Sequence, residues 1–71
     1  MERKKYLELC KQNAIKKKSA TVFYGGNEYY PFSYDFGFNK LGKVVHTCVM
    51  EDKNEKSFVY VGLEDVKERL D

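Results

Sequence analysis

The sequence predicts an α+β domain in which a basic helix precedes a three- or four-stranded antiparallel meander and a short helix ends the chain. Aromatic rings recur at every second position from Tyr30 to Phe38, which is the side-chain period of a β-strand. Turn residues flank this strand, with Gly25-Gly26-Asn27 before it and residues 39–42 after it. Because hairpins of this kind are local, the meander forms either an open sheet or one that curls into an SH3-like barrel.

A chain of 71 residues is expected to form a single small domain, residues 1–71, with a thin stability margin. Hydrophobic residues make up 42% of the chain, so a globular fold is favoured over disorder of the whole chain. The charged start is not followed by a long apolar run, and no stretch approaches the ~20 apolar residues of a membrane span. We therefore expect a cytoplasmic protein that does not associate with membranes.

The basic segment 1–18 is predicted to be helical over residues 2–16, which are rich in Lys, Glu, Leu and Ala and contain no Gly or Pro. The apolar side chains of this helix form a narrow stripe, so the helix needs a surface to pack on. The stripe consists of Tyr6, Leu7, Cys10 and Ala14.

The antiparallel sheet is predicted within residues 20–62, and a short C-terminal helix within residues 63–70, where apolar residues recur three and four positions apart. Pro31 cannot donate to a strand ladder, so that part of the long strand is an edge, a start or a bulge. The predicted strands are the β-prone runs 21–24, 28–38, 43–50 and 57–61.

The row of rings has two interpretations. In the first, the ringed side of the strand is the core face of the sheet. In the second, part of the row is an exposed platform, because each buried ring covers roughly 150–250 Å² and a domain this thin has little room for so many. Exposed rings beside cations stack on bases or anchor a protein partner. The candidate binding rings are Tyr30 and Tyr34 from the row and Tyr29 from the other face of the strand.

Charge is unevenly distributed along the chain. Residues 1–20 hold seven basic and two acidic side chains, whereas the remainder holds six basic and nine acidic ones. The basic segment therefore has three interpretations. It is a solvated helix face, a surface that docks on the acidic sheet, or a patch that contacts phosphates. The candidate binding residues here are Lys16, Lys17 and Lys18. Lysines lack the bidentate fork of Arg, so the patch is poorly suited to reading bases.

The sequence contains no recognisable catalytic set. His46 and Cys48 share a strand face roughly 7 Å apart, but no Gly-rich oxyanion loop accompanies them, so we expect no enzyme. Cys10 and Cys48 are expected to be reduced, partly buried residues rather than metal ligands. The acidic loop 51–55 lacks the alternating oxygens and central Gly of a calcium loop. Neither a cofactor, a metal nor a small-molecule substrate is predicted.

Several short pieces of the chain resemble small uncharacterised proteins of Gram-positive bacteria and of their phages or integrative elements. They are Glu28-Tyr29-Tyr30-Pro31, Gly42-Lys43, His46-Thr47, Asp52 and the run from Val59 to Val66. That last run, Val-Tyr-Val-Gly-Leu-Glu-Asp-Val, also resembles the final strand and turn of bacterial SH3-like barrels. The resemblance covers residues 28–66 and implies a cytoplasmic accessory protein that acts by binding, with no functional residue carried over.

Two functional hypotheses follow. The first is a non-catalytic module that binds another protein, or a second copy of itself, through an aromatic-rich face of the sheet. The second is a nucleic-acid-binding accessory protein that uses the basic helix on phosphates and exposed Tyr rings on bases. The second hypothesis requires the helix and the exposed rings to lie on one face of the molecule.

Overall fold

A computed structural model describes residues 1–69 of the chain. One α-helix is followed by four strands in a single antiparallel sheet of order β1-β2-β3-β4. The elements are α1 (Arg3–Ile15), β1 (Val22–Tyr24), β2 (Asn27–Phe38), β3 (Val44–Asp52) and β4 (Phe58–Gly62). The α+β class, the N-terminal helix and the antiparallel meander are confirmed.

The predicted C-terminal helix is wrong in type and length. Leu63–Asp65 forms a single 3-10 turn, and Val66 already has extended backbone. Lys67 then pairs with Phe23 of β1 through two backbone hydrogen bonds of 2.8 and 2.9 Å. Because this pairing requires extended backbone, it replaces the helix that the apolar spacing favours. Leu70, the last member of the predicted apolar stripe, lies outside the described residues.

The turn between β1 and β2 forms as the sequence predicts. Gly25 and Gly26 have φ values of 56° and 82°, in the left-handed region that a two-residue hairpin turn requires and that glycine adopts without steric cost. β1 is a short strand that pairs with only the first three residues of β2. The sheet as a whole curls into a half-barrel, and the Phe23–Lys67 bridge brings the chain that leaves β4 back to β1.

The core lies between α1 and the concave face of the curled sheet. Tyr6 is fully buried, and its hydroxyl lies 3.0 Å from the carbonyl of Ser33 and 2.9 Å from that of Val49. The inward face of the helix is completed by Leu9 and Cys10, whereas the predicted Leu7 and Ala14 are exposed. The core side chains packed around Tyr6 are Val22, Tyr29, Cys48, Met50, Leu63 and Val66.

Asn13 fastens the C-terminal end of α1 to the sheet. Its amide nitrogen donates to the carbonyls of Ala20 at 3.1 Å and Pro31 at 3.0 Å. Its amide oxygen accepts from the backbone N–H groups of Ser19 at 3.0 Å and Ala20 at 2.8 Å. One side chain therefore connects the helix, the loop that follows it and the edge of β2.

A β-bulge divides β2 and separates the row of rings. The register with β3 shifts between Pro31 and Ser33, so Pro31 opposes Met50 but Tyr34 opposes Cys48. Directly opposed residues share a face, so odd-numbered residues face the core before the bulge and even-numbered ones after it. The expectation that all five rings share one side is therefore wrong. Tyr34, Phe36 and Phe38 lie on the core side, but only Tyr34 packs against the core cluster, so the row is neither a continuous core face nor a continuous exposed platform.

Candidate functional site

The hairpin formed by β2 and β3 extends beyond the rest of the fold. β4 pairs with β3 only from Thr47 to Glu51, and β1 pairs with β2 only from Asn27 to Tyr29. Within residues 1–69, no third strand pairs with the far end of the hairpin, residues 35–38 and 44–46, so this end is a two-stranded ribbon. We call this part of the hairpin the distal ribbon.

The distal ribbon exposes apolar side chains on both of its faces. Phe36, Phe38 and Val44 lie on the same face as the core, yet they are 59%, 72% and 49% exposed because α1 does not reach them. Val45, on the other face, is also exposed, as is Leu41 at the tip of the turn. An isolated two-stranded hairpin is marginally stable in water, so this ribbon gains by packing against something else.

Backbone groups along the outer edge of β2 are paired only near the bulge. The helix provides a partner there, since Asn13 donates to the carbonyl of Pro31. The Tyr6 hydroxyl instead lies between β2 and β3, next to the carbonyls of the opposed residues Ser33 and Val49. Within residues 1–69, no strand or side chain hydrogen-bonds the outer edge of β2 from Tyr34 to Phe38. A free edge of this kind is a template for another strand.

A stack of three rings forms the boundary between the core and the distal ribbon. His46 stacks with Tyr34 at 5.8 Å and with Phe36 at 6.2 Å between ring centroids. Nδ1 of His46 is hydrogen-bonded to the Tyr34 hydroxyl, and Tyr34 in turn packs on Tyr6 at 6.4 Å. The histidine is therefore held as a structural ring and orients Phe36 at the start of the ribbon.

A second surface is a groove of about 460 Å³ between the C-terminal end of α1 and the strands. Phe32 and Phe58 form an edge-to-face pair at 5.2 Å on one side of it. Tyr30 lies beside them, and the Lys18 ammonium is 5.8 Å from the centre of its ring. Lys17 also lines the groove, as does the acidic Glu51. The groove thus combines three aromatic rings with two cations and one anion.

The structure separates the six candidate binding residues that the sequence suggested. Tyr29 is 5% exposed and belongs to the core, and Tyr34 is half-buried in the ring stack. Tyr30 is half-buried in the groove together with the exposed Lys17 and Lys18. Lys16 is exposed at the helix end but does not line the groove.

Burial in the core raises the pKa values of Tyr6, Cys10 and Cys48 and so favours their neutral forms. Burial raises the pKa of the Tyr6 hydroxyl well above its usual range, and the nearby Cys10 and Cys48 add to the shift. Burial also raises the pKa of Cys48 to about 11 and raises that of Cys10. Because the thiolate is the reactive form of cysteine, neither thiol is activated as a nucleophile.

No group of three or more His, Cys, Asp and Glu side chains in the described residues is arranged to hold a metal ion. None of the helices found within residues 1–69 has the length and apolar character needed to cross a membrane. Comparison with known proteins gives no match to a family model, a curated protein or a solved structure. The candidate site therefore rests on geometry alone.

The sequence does not single out the exposed phenylalanines that form the two candidate surfaces. In the sequence, Phe36 and Phe38 look like ordinary members of one row, and nothing connects Phe32 with Phe58. A useful signal was present in the lengths of the elements. A helix of 13 residues spans about 20 Å, whereas a strand of 12 residues spans about 40 Å, so one helix cannot cover that strand.

Proposed function

We propose that this protein is a non-catalytic binding module whose distal ribbon engages another polypeptide. One observation supports the proposal most strongly: Phe36, Phe38 and Val44 are exposed on the same face as the core, next to a strand edge that no other strand among residues 1–69 pairs with. In a monomer of this size, contiguous exposed apolar groups of this kind mark an interaction surface.

The geometry is suited to β-strand addition. In this mode of recognition, a partner strand makes main-chain hydrogen bonds to a free edge, and alternate side chains provide the specificity. Phe36 and Phe38 alternate along the edge of β2 and supply the aromatic anchors that are enriched at the centres of interfaces. The predicted setting, a cytoplasmic accessory protein of a bacterium or phage, is compatible with such a module and stays a prediction.

Selection of peptides from a random display library tests this proposal. Binders selected on the wild-type protein should lose most of their affinity for the variant Phe36→Ser/Phe38→Ser. The matched control, Phe32→Ser/Phe58→Ser, removes two exposed rings from the groove and should leave their affinity unchanged. Peptides that bind the first variant as well as the wild type would contradict the proposal.

A second candidate function, binding of single-stranded nucleic acid, is favoured by the groove. Tyr30, Phe32 and Phe58 offer ring surfaces for bases, and Lys17 and Lys18 offer charges for phosphates beside them. The hypothesis required the basic helix end and exposed rings to share one face, and the groove satisfies that requirement. Glu51 in the same groove opposes it, because a carboxylate repels phosphate.

Fluorescence anisotropy with a labelled single-stranded oligonucleotide tests the second candidate at low and at physiological salt. Lys17→Ala/Lys18→Ala should weaken binding and reduce the salt dependence by about two charges. The control Lys40→Ala/Lys43→Ala removes the same charge from the turn of the distal ribbon. It should change neither the affinity for the oligonucleotide nor the salt dependence of that affinity. Equal effects of the two variants would indicate general charge attraction and no groove site.

A further inference from the structure

We infer that the partner of the distal ribbon is a second copy of this chain, which pairs its β2 edge antiparallel with that of the first around a two-fold axis at Phe36. This inference rests on the proposed function and names its partner. The result would be a continuous sheet in which the two ribbons cover each other's edges. The inference depends on three properties of the ribbon: the absence of edge-blocking features, its symmetry and the position of its single β2 charge.

The free part of the edge lacks the features by which monomeric proteins block strand pairing. Such features are Lys, Pro, bulges and covering loops. In β2 both the proline and the bulge occur at residues 31–33, where Asn13 already binds the edge through the carbonyl of Pro31. From Tyr34 to Phe38 the strand has no Lys and no Pro, and Asp35 is its only charged residue. This part of the edge is therefore left open to pairing.

The length of the free edge determines the register. The edge runs from Tyr34 to Phe38, so pairing over its whole length places the two-fold axis at its midpoint, Phe36. Phe36 then opposes Phe36 of the second copy, and Tyr34 opposes Phe38 of the second copy. Cross-strand aromatic pairs of this kind stabilise sheets, and here they cover the exposed rings on the core face.

Charge selects the same register. With the axis at Phe36, Asp35 of one copy opposes Gly37 of the other, so no like charges meet. An axis at Asp35 would place the two carboxylates directly opposite each other, which destabilises a strand pair. Gly37 is the position from which this arrangement is tested, because a Cβ built there meets no atom within 4 Å. A side chain at position 37 therefore fits without disturbing the monomer.

The outer edge of β4 is the competing edge for self-association. It also carries no charged residue, and Tyr60 on it is 72% exposed. Yet Val59 and Val61 of β4 pack against the core, so this strand is supported without a partner. The distal ribbon has no such support, and this difference favours the β2 edge.

Sedimentation equilibrium over a wide concentration range tests the inference with two variants at one position. A Lys blocks strand pairing where the facing strand offers it no opposite charge. In Gly37→Lys each new cation opposes Asp35 of the second copy, so the dimer dissociation constant should fall roughly fivefold. In Gly37→Asp, like charges meet and the constant should rise by a similar factor. Both variants should retain the far-UV circular dichroism of the wild type, and Phe36→Ser/Phe38→Ser should be monomeric.

Three results would overturn the inference. One is a wild-type protein that stays monomeric at millimolar concentration. Another is equal dissociation constants for the Lys and Asp variants, which would exclude the register. The third is dimerisation that Tyr60→Asp abolishes and the Gly37 variants leave unchanged, which would assign the interface to β4. If the protein is monomeric but peptides still bind the ribbon, only the identity of the partner is wrong; if neither occurs, the proposed function fails as well.

Discussion

The two halves of β2 belong to one strand and have similar compositions, yet they have opposite environments. Before the bulge, Tyr29 and Pro31 are buried beneath the helix. After it, Phe36 and Phe38 lie on the same core face and are more than half exposed. Aromatic rings recur at every second position from Tyr30 to Phe38, on both sides of the bulge. Burial here is thus decided by what packs over the strand, and the pattern within the strand does not distinguish the two cases.

Tyr6 marks the boundary between the halves. Its ring lies in the core beneath the helix and packs against Tyr34. Its hydroxyl lies within hydrogen-bond distance of the carbonyls of Ser33 and Val49 at the bulge. A buried carbonyl without a partner destabilises a fold, so this hydroxyl helps to make the irregular register acceptable. The helix therefore limits how far the core extends, and Tyr6 stabilises the strand at the point where its inward face changes.

The largest effect is expected from a matched pair of tyrosine substitutions. Tyr6→Ala removes a fully buried ring and should cost about 3–5 kcal/mol, which approaches the whole stability of a domain this small. Tyr60→Ala removes a ring that is 72% exposed and should change the free energy of unfolding by less than about 0.5 kcal/mol. Urea denaturation followed by circular dichroism measures both. Similar losses in the two variants would show that the core is not centred on Tyr6.

Alkaline pH should lower the free energy of unfolding through the buried core groups Cys48 and Tyr6. Burial raises the pKa of Cys48 to about 11, so the folded state keeps this proton where the unfolded state loses it. The thiol's contribution to the free energy of unfolding is fully present below the pKa that Cys48 has in the unfolded chain. As the pH rises from about 9 to 11, about 2 kcal/mol of this contribution is lost. Tyr6, whose pKa burial also raises, extends the decline to higher pH.

The variant Cys48→Ala isolates the thiol contribution. Urea denaturation at a series of pH values should show a shallower fall between pH 9 and 11 in the variant than in the wild type. The wild-type and variant profiles should be parallel at neutral pH, where the thiol is protonated in both states. A variant whose alkaline profile parallels that of the wild type throughout would argue against burial of Cys48.

The smallest effect on stability is expected in the distal ribbon. Phe38→Ser removes a ring that is 72% exposed, so the free energy of unfolding of the dilute protein should change by less than about 0.5 kcal/mol. Thermal denaturation at low protein concentration provides the measurement. A loss of more than about 2 kcal/mol under these conditions would mean that Phe38 packs within the monomer.

Much of the fold was predictable because it depends on local chemistry. The bounds of all four strands lie within two residues of the predicted ones, since β-prone runs and glycine turns are read directly from neighbours in sequence. The prediction that Pro31 marks an edge, a start or a bulge of the strand is confirmed, because the register with β3 shifts directly after it. The helix is likewise predicted by its composition. Its inward face differs from the predicted one, because Leu9 and Asn13 face the sheet whereas Leu7 and Ala14 are exposed.

The rest depends on contacts between distant parts of the chain. The position of the bulge is a property of the pairing between β2 and β3, and the aromatic alternation continues through it without interruption. The end of the chain is similar: Leu63 and Val66 fit a helical spacing, but pairing of Lys67 with Phe23 requires extended backbone. The groove joins Phe58 to Phe32 across 26 positions, for which the sequence contains no local signal.

Native-state hydrogen exchange is the most direct test of the difference between the two halves of the sheet. In dilute protein, ladder amides around Cys48 and Met50 should exchange only on global unfolding, whereas those of residues 36–38 and 44–46 should exchange far faster through local opening. Raising the protein concentration should then slow exchange in the distal ribbon alone. Uniform protection along β2 and β3 in dilute protein would contradict the account, because it would show that the distal ribbon is already stabilised within the monomer.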